Sequence, residues 1–561
     1  MLKEQVLKIL QSVDVTATPD ILEAPPQEEY GDIAFPCFDL AKIRRKSPNE
    51  IANDIVKSIQ VSKHPLLLKV EARGPYVNFF LYWEKIAEKI ITQILLKKKI
   101  DIGGKKKVMV EYSQPNPVHP MHIGHARGTF LGDALANTYN YLGYKAIKAN
   151  YMNDVGLQVA RLVTAYKIFA DSKKPKGKPD AWLWQYYVKF HDDLEKHPEY
   201  DEKARELLRK FELDKEPNAV KMFNKIVGWC VKGFNETYKS LGIKFDIYFY
   251  ESDFRDAGKA MVDEALQRNI AFKSPEGAIV ADLEKHGLPN TILLRSDGTG
   301  LYITSDLGLT AYKFKKYNLN ESVWTVSSQQ NLHFKQLFKV LELLGYGFVK
   351  RCHHLSFEHI NLPEGKMSSR EGRAVMIDEV IESLAKQALE EVEKRNPKLP
   401  KQKKLSISNK IAIGALKYAI LKIETQSPII FDWKQMLSFD GDTGPYLQYA
   451  YTRCMGILRK AKKYKKIASL PKLNQHEIML TKKLSEFSDV VVSSATQMKP
   501  NVLCNYTFDL ATEFNSFYEK CHVLSAEDVT TRDFRLTLVQ ATKDTMKKCL
   551  ELLAMPVPEK M

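Results

Sequence analysis

The fold is decided by the stretch Val108-Met109-Val110-Glu111-Tyr112-Ser113-Gln114-Pro115-Asn116-Pro117-Val118-His119-Pro120-Met121-His122-Ile123-Gly124-His125. It opens with a short apolar strand, Val108–Tyr112, and continues as a proline-rich loop. A helix is predicted from about Gly124 to Leu142, and a second strand is predicted at Tyr144–Ala149. Strand, loop, helix and strand in this order are typical of a parallel βαβ unit. The sequence therefore predicts a doubly wound parallel sheet around this segment.

The sequence on both sides of this unit indicates several further domains. Three runs, Thr291–Leu294, Ser322–Val326 and His354–Phe357, are predicted to be strands of the same sheet. The stretch 157–270 is predicted to be a largely helical insertion between the two halves of that sheet, and everything after Arg395 is predicted to be helical. We predict a small α+β domain at residues 1–100, an α/β domain at 105–395, a basic linker with connecting helices at 396–434 and an all-α domain at 435–561.

Composition excludes several classes of protein. The chain has 561 residues, of which 44% are hydrophobic and 27% charged, which excludes a wholly disordered or collagen-like protein. No apolar run approaches the roughly 18 residues that a membrane helix needs, and the N-terminus lacks the apolar core of a signal peptide. The seven cysteines are scattered and contain no CxxC pair, so neither a disulfide framework nor a structural zinc site is expected. We expect a reduced, cytoplasmic protein with no membrane partner.

The segment Met121–His125 carries the strongest chemical signal. It places an HxGH pattern between a strand and a helix. Gly124 lets the backbone approach a phosphate, and the helix N-terminus offers free N–H groups and a partial positive charge. His122 and His125 can donate hydrogen bonds to phosphate oxygens as charge develops during displacement at the α-phosphorus. Metal binding or an ordinary polar loop are the alternatives, and the βαβ setting favours nucleotide chemistry.

A second segment, Glu364-Gly365-Lys366-Met367-Ser368-Ser369-Arg370-Glu371-Gly372-Arg373, is a cationic loop with flanking glycines. Lys366, Arg370 and Arg373 can neutralise a triphosphate and its leaving pyrophosphate. Taken alone, such a loop is more often part of an ordinary surface.

Together, the HxGH pattern and the KMSS segment about 240 residues later resemble the signature pair of class I aminoacyl-tRNA synthetases. Longer motifs narrow the resemblance to the arginyl-tRNA synthetases, and the match spans nearly the whole chain. These motifs are Glu111–Pro117, Leu294–Thr299 with Tyr302–Leu307, Gln330–Phe334 and Ser438–Ala450.

The resemblance implies a Rossmann-type catalytic domain with a helical insertion, an N-terminal domain that grips the outer corner of the tRNA, and a helical anticodon-binding domain. It also implies an arginine pocket. In that pocket Asp306 pairs with the guanidinium, Tyr302 and Gln330 line the same end, and Ser113 and Asn116 hold the α-amino and carboxylate groups. Glu111 is a weaker candidate. Asp306 capping its helix and Glu111 as a solvent-exposed charge at a strand end are the alternatives.

The resemblance further assigns the nucleotide site. The residues implied in catalysis are His122, Gly124, His125, Lys366, Ser368 and Arg370. Those implied in ATP binding are His122, Gly124, His125, Lys366, Met367, Ser368 and Ser369.

Two positions depart from the family pattern. The fuller signature is KMSKS, and Ser369 stands where its second lysine is found. In many arginyl enzymes without that lysine, a lysine just before the HxGH motif takes over, but this chain has His119 there. The positive charge that neutralises the phosphates must then come from Lys366, Arg370 or Arg373, and the sequence does not distinguish among the three. Ser305 also replaces an arginine often found at its position.

The chain is strongly basic, with 84 Lys and Arg against 68 Asp and Glu and a net charge of +16. A polyanionic partner explains this excess, and a solvated lysine-rich surface is the alternative. A basic run after a helix with an apolar stripe favours phosphate contacts, and neighbouring tyrosines can stack on unpaired bases. The tRNA-binding candidates are Tyr446, Arg459, Lys462, Lys463, Lys465 and Lys466.

These observations predict an arginyl-tRNA synthetase that acts on L-arginine, ATP with Mg²⁺, and tRNA(Arg), and that is a monomer. Two other functions remain open. A different HxGH nucleotidyltransferase would generally be much smaller and would have no reason for a basic helical C-terminal domain. A non-catalytic synthetase-like RNA-binding protein is disfavoured by the intact His122, His125 and Asp306.

Overall fold

A computed structural model of the chain describes residues 2–97, 99–361, 375–430, 436–438, 440–461, 463–465 and 470–561, except for the Glu28 side chain. The chain divides into two compact units. One unit comprises Met1–Lys98, Ala450–Val490 and Tyr506–Lys548, and the other comprises Lys99–Tyr449, Val491–Asn505 and Cys549–Met561. In the described part of the chain, every helix is too short or too polar to span a lipid bilayer.

The N-terminal part of the first unit contains a small antiparallel sheet and four helices. In chain order its elements are α1 Leu2–Gln11, β1 Ile33–Pro36, α2 Phe38–Arg44, α3 Pro48–Ser58, β2 Leu67–Arg73, β3 Tyr76–Leu81 and α4 Trp83–Leu95. The strand order is β1-β3-β2. The Asp32 carboxylate before β1 accepts from the Trp83 indole and pairs with Lys482 at 2.6 Å, which ties this sheet to a helix of the same unit.

The second unit contains the large sheet and most of the helices. Its elements up to residue 267 are β4 Lys107–Glu111, α5 Ile123–Tyr141, β5 Lys145–Met152, α6 Leu157–Phe169, α7 Pro179–Asp193, α8 Glu199–Glu212, α9 Pro217–Leu241, β6 Ile247–Tyr250 and α10 Arg255–Gln267. Those that follow are β7 Ala271–Lys273, β8 Ile279–Ala281, β9 Thr291–Leu294, α11 Tyr302–Tyr317, β10 Glu321–Ser327, α12 Asn331–Leu343, β11 Cys352–Phe357, β12 Ile360–Asn361, α13 Ile377–Arg395, α14 Lys401–Leu421 and β13 Ile429–Ile430.

The prediction that everything after Arg395 is helical is wrong at β13, because Ile429 and Ile430 pair with β12 instead. Beyond β13, the regular elements in the described residues are helices. They are α15 Gly444–Ala461, α16 Gln475–Thr496, α17 Pro500–Lys520 and α18 Val529–Leu552.

Five parallel strands form the large sheet in the order β11-β10-β4-β5-β6. The predicted fold class is confirmed, with an α/β domain, a helical insertion, a small N-terminal α+β domain and a helical C-terminal domain. In this topology the carboxyl ends of neighbouring strands meet at one edge, where α/β proteins bind their ligands. The residues that follow β4, β5, β6 and β10 therefore converge.

One predicted strand belongs to a different sheet. Thr291–Leu294 forms β9, but it pairs with β8 in the three-stranded antiparallel sheet β7-β8-β9. The prediction that this run joins the parallel sheet is wrong, because a neighbouring antiparallel strand satisfies its backbone instead. The place at the sheet edge is taken by β6, which lies inside the stretch 157–270 predicted to be largely helical. Its four residues, Ile247–Tyr250, of which only Phe249 is fully buried, give only a weak strand pattern.

Helix α5 packs at the centre of the second unit, since 14 of its 19 residues are buried. Gly132 allows this helix to approach β4 closely. A Cβ atom at Gly132 would lie 2.2 Å from Cγ of Tyr112, whose ring follows β4. The predicted helix around Gly124–Leu142 is confirmed, and its burial explains why its sequence shows no polar face.

We expect Gly132→Ala to lower the free energy of unfolding by about 1–3 kcal/mol, because a methyl group has no room in this packed interface. Gly228→Ala is the matched control, since among the described atoms none beyond its own helix lies within 4 Å of an added Cβ. That change should raise the free energy of unfolding by roughly 0.5–1 kcal/mol through the helix preference of alanine. Urea unfolding followed by circular dichroism measures both, and a Gly132→Ala variant as stable as the parent chain would contradict the packing argument.

Candidate active site

The HxGH segment forms the N-terminus of α5 through reciprocal hydrogen bonds. The Gly124 N–H donates to Nδ1 of His122 at 3.1 Å, and the His122 N–H donates to Nδ1 of His125 at 3.2 Å. The two rings lie 3.9 Å apart. Because each Nδ1 accepts a backbone proton, each neutral imidazole carries its own proton on Nε2. The backbone thereby sets the tautomer and leaves Nε2–H as the available donor.

Both histidines are held in the neutral form. Burial lowers the pKa of His122 to about 3, and the neighbouring His119 ring acts in the same direction. Burial, followed by His122 and His119, also lowers the pKa of His125 well below its usual value. These groups therefore act near neutral pH as uncharged hydrogen-bond donors, not as cations.

His119 completes a cluster of three imidazoles. Its ring lies 5.3 Å from that of His122, and the edge of Trp184 approaches it at 5.7 Å. Burial lowers the pKa of His119 as well. It is therefore neutral and does not supply the positive charge of the absent lysine. The cationic candidates Lys366, Arg370 and Arg373 lie outside the described residues, as do Met367, Ser368 and Ser369.

A strained turn after β4 positions Ser113. Ser113 and Gln114 adopt φ angles of 80° and 48°, a region that costs non-glycine residues about 1–2 kcal/mol. Hydrogen bonds hold the turn: the Ser113 hydroxyl lies 2.7 Å from the Tyr238 hydroxyl and accepts from Thr129 at 2.7 Å.

Asn116 retains an unused acceptor. Its Nδ2 donates to Oε1 of Gln158 at 3.2 Å. Its Oδ1 is buried and has no hydrogen-bond partner among the described residues. A buried acceptor without a partner is costly unless a ligand satisfies it, and an ammonium group would do so.

Asp306 lies in the second turn of α11, whose N-cap is Leu301. It is therefore not a helix cap, and that alternative is wrong. Its Oδ2 lies 2.7 Å from Nε2 of His333, and both side chains are about one-fifth exposed. Tyr302 begins the same helix and is exposed. Its hydroxyl donates to the side-chain oxygen of Asn153 at 3.1 Å when that amide is oriented with its oxygen toward the phenol.

The other two predicted arginine-site residues have different surroundings. Gln330 is exposed where β10 gives way to α12. Glu111 is buried at the end of β4, accepts from Gln114 at 2.9 Å and forms an ion pair with the fully buried Lys313. The alternative that Glu111 is a solvent-exposed charge at a strand end is therefore wrong. Burial raises the pKa of Glu111, although Lys313 opposes this effect.

Sequence reasoning missed two acidic residues of this site, Asp154 and Glu251. Asp154 follows β5 and accepts from the Ser252 hydroxyl at 2.6 Å. Glu251 follows β6, is buried, and pairs with Arg255 at 2.9 Å. Burial, and then the carboxylates of Asp306 and Asp154, raise the pKa of Glu251 to about 8. These three carboxyl groups are close enough to affect one another, a grouping that favours a cation, and locating β6 would have revealed Glu251.

Within the residues that the structure describes, no group of three His, Cys, Asp or Glu side chains is placed to hold a metal ion. Cys352 begins β11 and is not part of such a group among these residues.

Comparison with known proteins accounts for the geometry. Residues 89–433 match the family model "tRNA synthetases class I (R), catalytic domain". The chain belongs to the arginyl-tRNA synthetase family. Residues 1–81 match the arginyl-tRNA synthetase N-terminal domain, and residues 447–561 match the DALR anticodon-binding domain. Class I synthetases use ATP with a divalent metal, and the grouped carboxyl groups of Asp306, Asp154 and Glu251 are consistent with the arginyl branch.

Relatives cover the whole chain. The arginine–tRNA ligase of Halothermothrix orenii is 36% identical over 98% of this chain and 97% of its own length. That of Clostridium acetobutylicum is 35% identical over 100% and 99%. Among solved structures, Thermus thermophilus arginyl-tRNA synthetase superimposes with a TM-score of 0.84 at 28% identity, covering 100% of this chain and 99% of that one.

Four of the six predicted tRNA-binding residues lie in the part of this arginyl-tRNA synthetase family member that the structure describes. Tyr446 is half-buried in α15, and Arg459 is exposed near the end of that helix. Lys463 and Lys465 are exposed, and the Lys465 backbone donates to Asp533 at 3.0 Å. Lys462 and Lys466 lie outside the described residues.

We expect His125→Ala to slow adenylate formation by about 100–1,000-fold with little change in ATP affinity, because its donor serves the developing charge more than bound ATP. Since the pKa of His122 is about 3, its protonation should produce no rate change between pH 6 and 8. Single-turnover kinetics measures the step, with the exposed His286→Ala as control. If a folded His125→Ala variant formed the adenylate at the normal rate, the HxGH segment would be a structural turn without a role in catalysis.

Asp306→Asn should weaken arginine recognition far more than ATP binding. Loss of one partner of a desolvated charge pair typically costs about 2–5 kcal/mol, or some thirtyfold to several thousandfold in affinity. The KM values for arginine and ATP report the two effects. Asp256→Asn, which neutralises an exposed ion pair with Lys215, is the control. Equal losses for arginine and ATP in a folded Asp306→Asn protein would exclude Asp306 from the pocket.

Proposed function

We propose that this chain is an arginine–tRNA ligase. It converts L-arginine and ATP to arginyl-adenylate and pyrophosphate, and then transfers the arginyl group to the 3′-terminal adenosine of tRNA(Arg). One observation carries this proposal: neutral imidazole donors at the start of α5 lie at the same sheet edge as Asp154 and Glu251, and the Asp306 carboxylate is near enough to Glu251 to raise its pKa. The first group suits phosphate chemistry and the second suits a guanidinium.

In adenylate formation, a carboxylate oxygen of arginine attacks the α-phosphorus of ATP and pyrophosphate leaves. His122 and His125 donate from Nε2 to the phosphate oxygens, so that added negative charge is met without a proton transfer. No protein nucleophile is needed, and catalysis consists of positioning and electrostatic stabilisation. ATP brings Mg²⁺, which the phosphates hold for the most part.

Arginine recognition follows from planar hydrogen bonding. A guanidinium presents a rigid fork of N–H donors that matches a carboxylate, whereas the ammonium of lysine is a compact point charge. Asp306 is the carboxylate that we assign to this fork, with Tyr302 and Gln330 lining the same end. Asn116 offers its Oδ1 to the α-ammonium group, and Ser113 contacts the other polar end.

In this scheme Glu111 supports the pocket without contacting the substrate itself. Its ion pair with Lys313 and the hydrogen bond from Gln114 occupy both carboxylate oxygens. Its negative charge is thereby largely balanced within the protein. We infer that it supports the pocket and that Asp306 contributes the larger share of arginine affinity.

We assign the tRNA to the remaining parts of the chain. The N-terminal domain at residues 1–100 binds the outer corner, and the helical domain at 435–561 binds the anticodon with Tyr446, Arg459, Lys462, Lys463, Lys465 and Lys466. Between these two domains we assign a catalytic domain at 105–395, with its insertion at 157–270, and a linker at 396–434. We further propose a cytoplasmic monomer.

Exchange of labelled pyrophosphate into ATP in the presence of tRNA(Arg), together with charging of that tRNA, separates this function from its alternatives. A ligase exchanges label in an arginine-dependent reaction and charges tRNA. A different nucleotidyltransferase exchanges label without arginine dependence. A non-catalytic RNA-binding protein binds tRNA and does neither. L-Lysine in place of arginine and the His125→Ala variant are the controls.

Arginine activation is expected to require tRNA, a property that the family resemblance implies. Docking of tRNA on three domains provides the physical reason, because it can order the pocket before chemistry begins. The measurement is pyrophosphate exchange with and without an unmodified tRNA(Arg) transcript. Full exchange by RNA-free protein would contradict the requirement, while failure to charge tRNA at all would contradict the ligase assignment.

A further inference from the structure

Arg127 is a fully buried cation on α5, two residues after His125. All four of its hydrogen-bond acceptors are backbone carbonyls. Nη1 donates to Glu358 at 2.6 Å and to Ser427 at 2.8 Å. Nη2 donates to Glu424 at 2.8 Å and to Thr425 at 3.3 Å. One side chain thus connects the HxGH helix to two segments more than 200 residues further along the chain.

Those two segments are also bonded to each other. The Glu358 N–H donates to the Thr425 carbonyl at 2.8 Å, and the Ile429 N–H donates to the His359 carbonyl at 3.1 Å. Strands β12 and β13 continue this pairing in parallel. We call residues 358–361 and 424–430 the linker ribbon. Its first segment leads directly into residues 362–374, which contain the signature lysine Lys366.

The opposite flank of residues 362–374 is bonded to the HxGH segment as well. The Ile123 N–H donates to the Val375 carbonyl at 2.9 Å, and the Ile377 N–H donates to the Met121 carbonyl at 2.9 Å. Both ends of this stretch are therefore attached to the segment that carries His122 and His125. The downstream attachment uses backbone groups, whereas the upstream attachment depends on the Arg127 side chain.

The chemistry of the contact requires arginine. A guanidinium presents five N–H donors in a fixed plane and can serve several carbonyls in different directions, whereas an ammonium presents three donors from one atom. The neighbouring Gly128 allows α5 to approach the end of β11, since a Cβ there would lie 2.9 Å from Cζ of Phe357. Packing at Gly128 and hydrogen bonding at Arg127 together define where the ribbon lies against the helix.

We propose that Arg127 is a positioning residue for adenylate formation, acting through the linker ribbon to fix the upstream flank of residues 362–374 relative to His122 and His125. This inference rests on the proposed function. The arginine pocket is built on α11 and the ends of β4, β5 and β6, none of which contacts Arg127 through the hydrogen bonds described above. Loss of Arg127 should therefore lower the rate of activation while arginine affinity is largely retained.

Arg127→Met removes all four hydrogen bonds and is expected to reduce kcat for adenylate formation by about 100-fold, the size typical of a ~1 Å misplacement of reacting groups. KM for arginine should change by less than about threefold, because uniform binding is not affected. Arg127→Lys should restore part of the rate, since one ammonium still reaches some of the carbonyls. The measurement is single-turnover activation by full-length protein with saturating tRNA(Arg), at a temperature where unfolding assays show each variant to be folded.

Lys417→Met is the matched control. Lys417 is another fully buried cation of the same unit, and its Nζ donates to the carbonyls of Leu241 and Ala554 at 2.7 Å each. The Lys417→Met variant should lose about as much stability as Arg127→Met, while its kcat stays close to that of the parent chain. Unchanged kcat in folded Arg127→Met would overturn the proposal, as would parallel losses of kcat and arginine affinity in both variants. An inactive parent protein would instead contradict the ligase assignment.

Discussion

The parallel pairing of β4 with β5 and β10 is the constraint on which the site depends. Parallel strands bring their carboxyl ends to one edge, so residues far apart in sequence become neighbours. Glu111, Asp154 and Glu251 each lie at or just beyond such an end. The HxGH segment enters the same edge because the chain leaves β4 there and must turn back into α5. The turn at Ser113 and Gln114 is strained for this reason. It is stabilised by the Thr129 hydroxyl, which donates to Ser113, and by Oδ1 of Asn150, which accepts from the Gln114 N–H.

Burial at this edge shifts the pKa values of acids and bases in opposite directions. It removes charge from the imidazoles and so keeps their Nε2–H donors available at neutral pH. It also raises the pKa of Glu251 to about 8, and the nearby carboxylates act in the same direction. One half of the proposed site therefore offers uncharged donors to a phosphate, and the other offers a cluster of carboxyl groups to a cation.

The sequence predicted the βαβ unit, β10 and β11 because their apolar runs are bounded by clear turn residues. It did not predict the partner of β9, since strand pairing is a tertiary property that a four-residue run does not encode. Missing β6 also hid Glu251, because a carboxylate becomes recognisable as a site residue only when its strand end is placed. The neutral state of His119 was likewise invisible, as it depends on burial against His122 and Trp184. Motif resemblance located Asp306, and the start of α11 at Tyr302 showed that it is not a cap.

The acidic groups of the proposed pocket each have a partner within the protein. Glu111 is matched by Lys313, Glu251 pairs with Arg255, and Asp306 contacts His333, so each carboxylate has a local partner before any ligand is bound. These partners are unequal. Lys313 is fully buried beside Glu111, whereas Asp306 and His333 each remain about one-fifth exposed. Water and ligand can therefore reach Asp306 but not Glu111. A guanidinium that binds Asp306 also places positive charge near Glu251, which favours the ionised form of that carboxyl. In the proposed arginine site, selectivity for a planar cation then rests on one accessible carboxylate beside buried carboxyl groups.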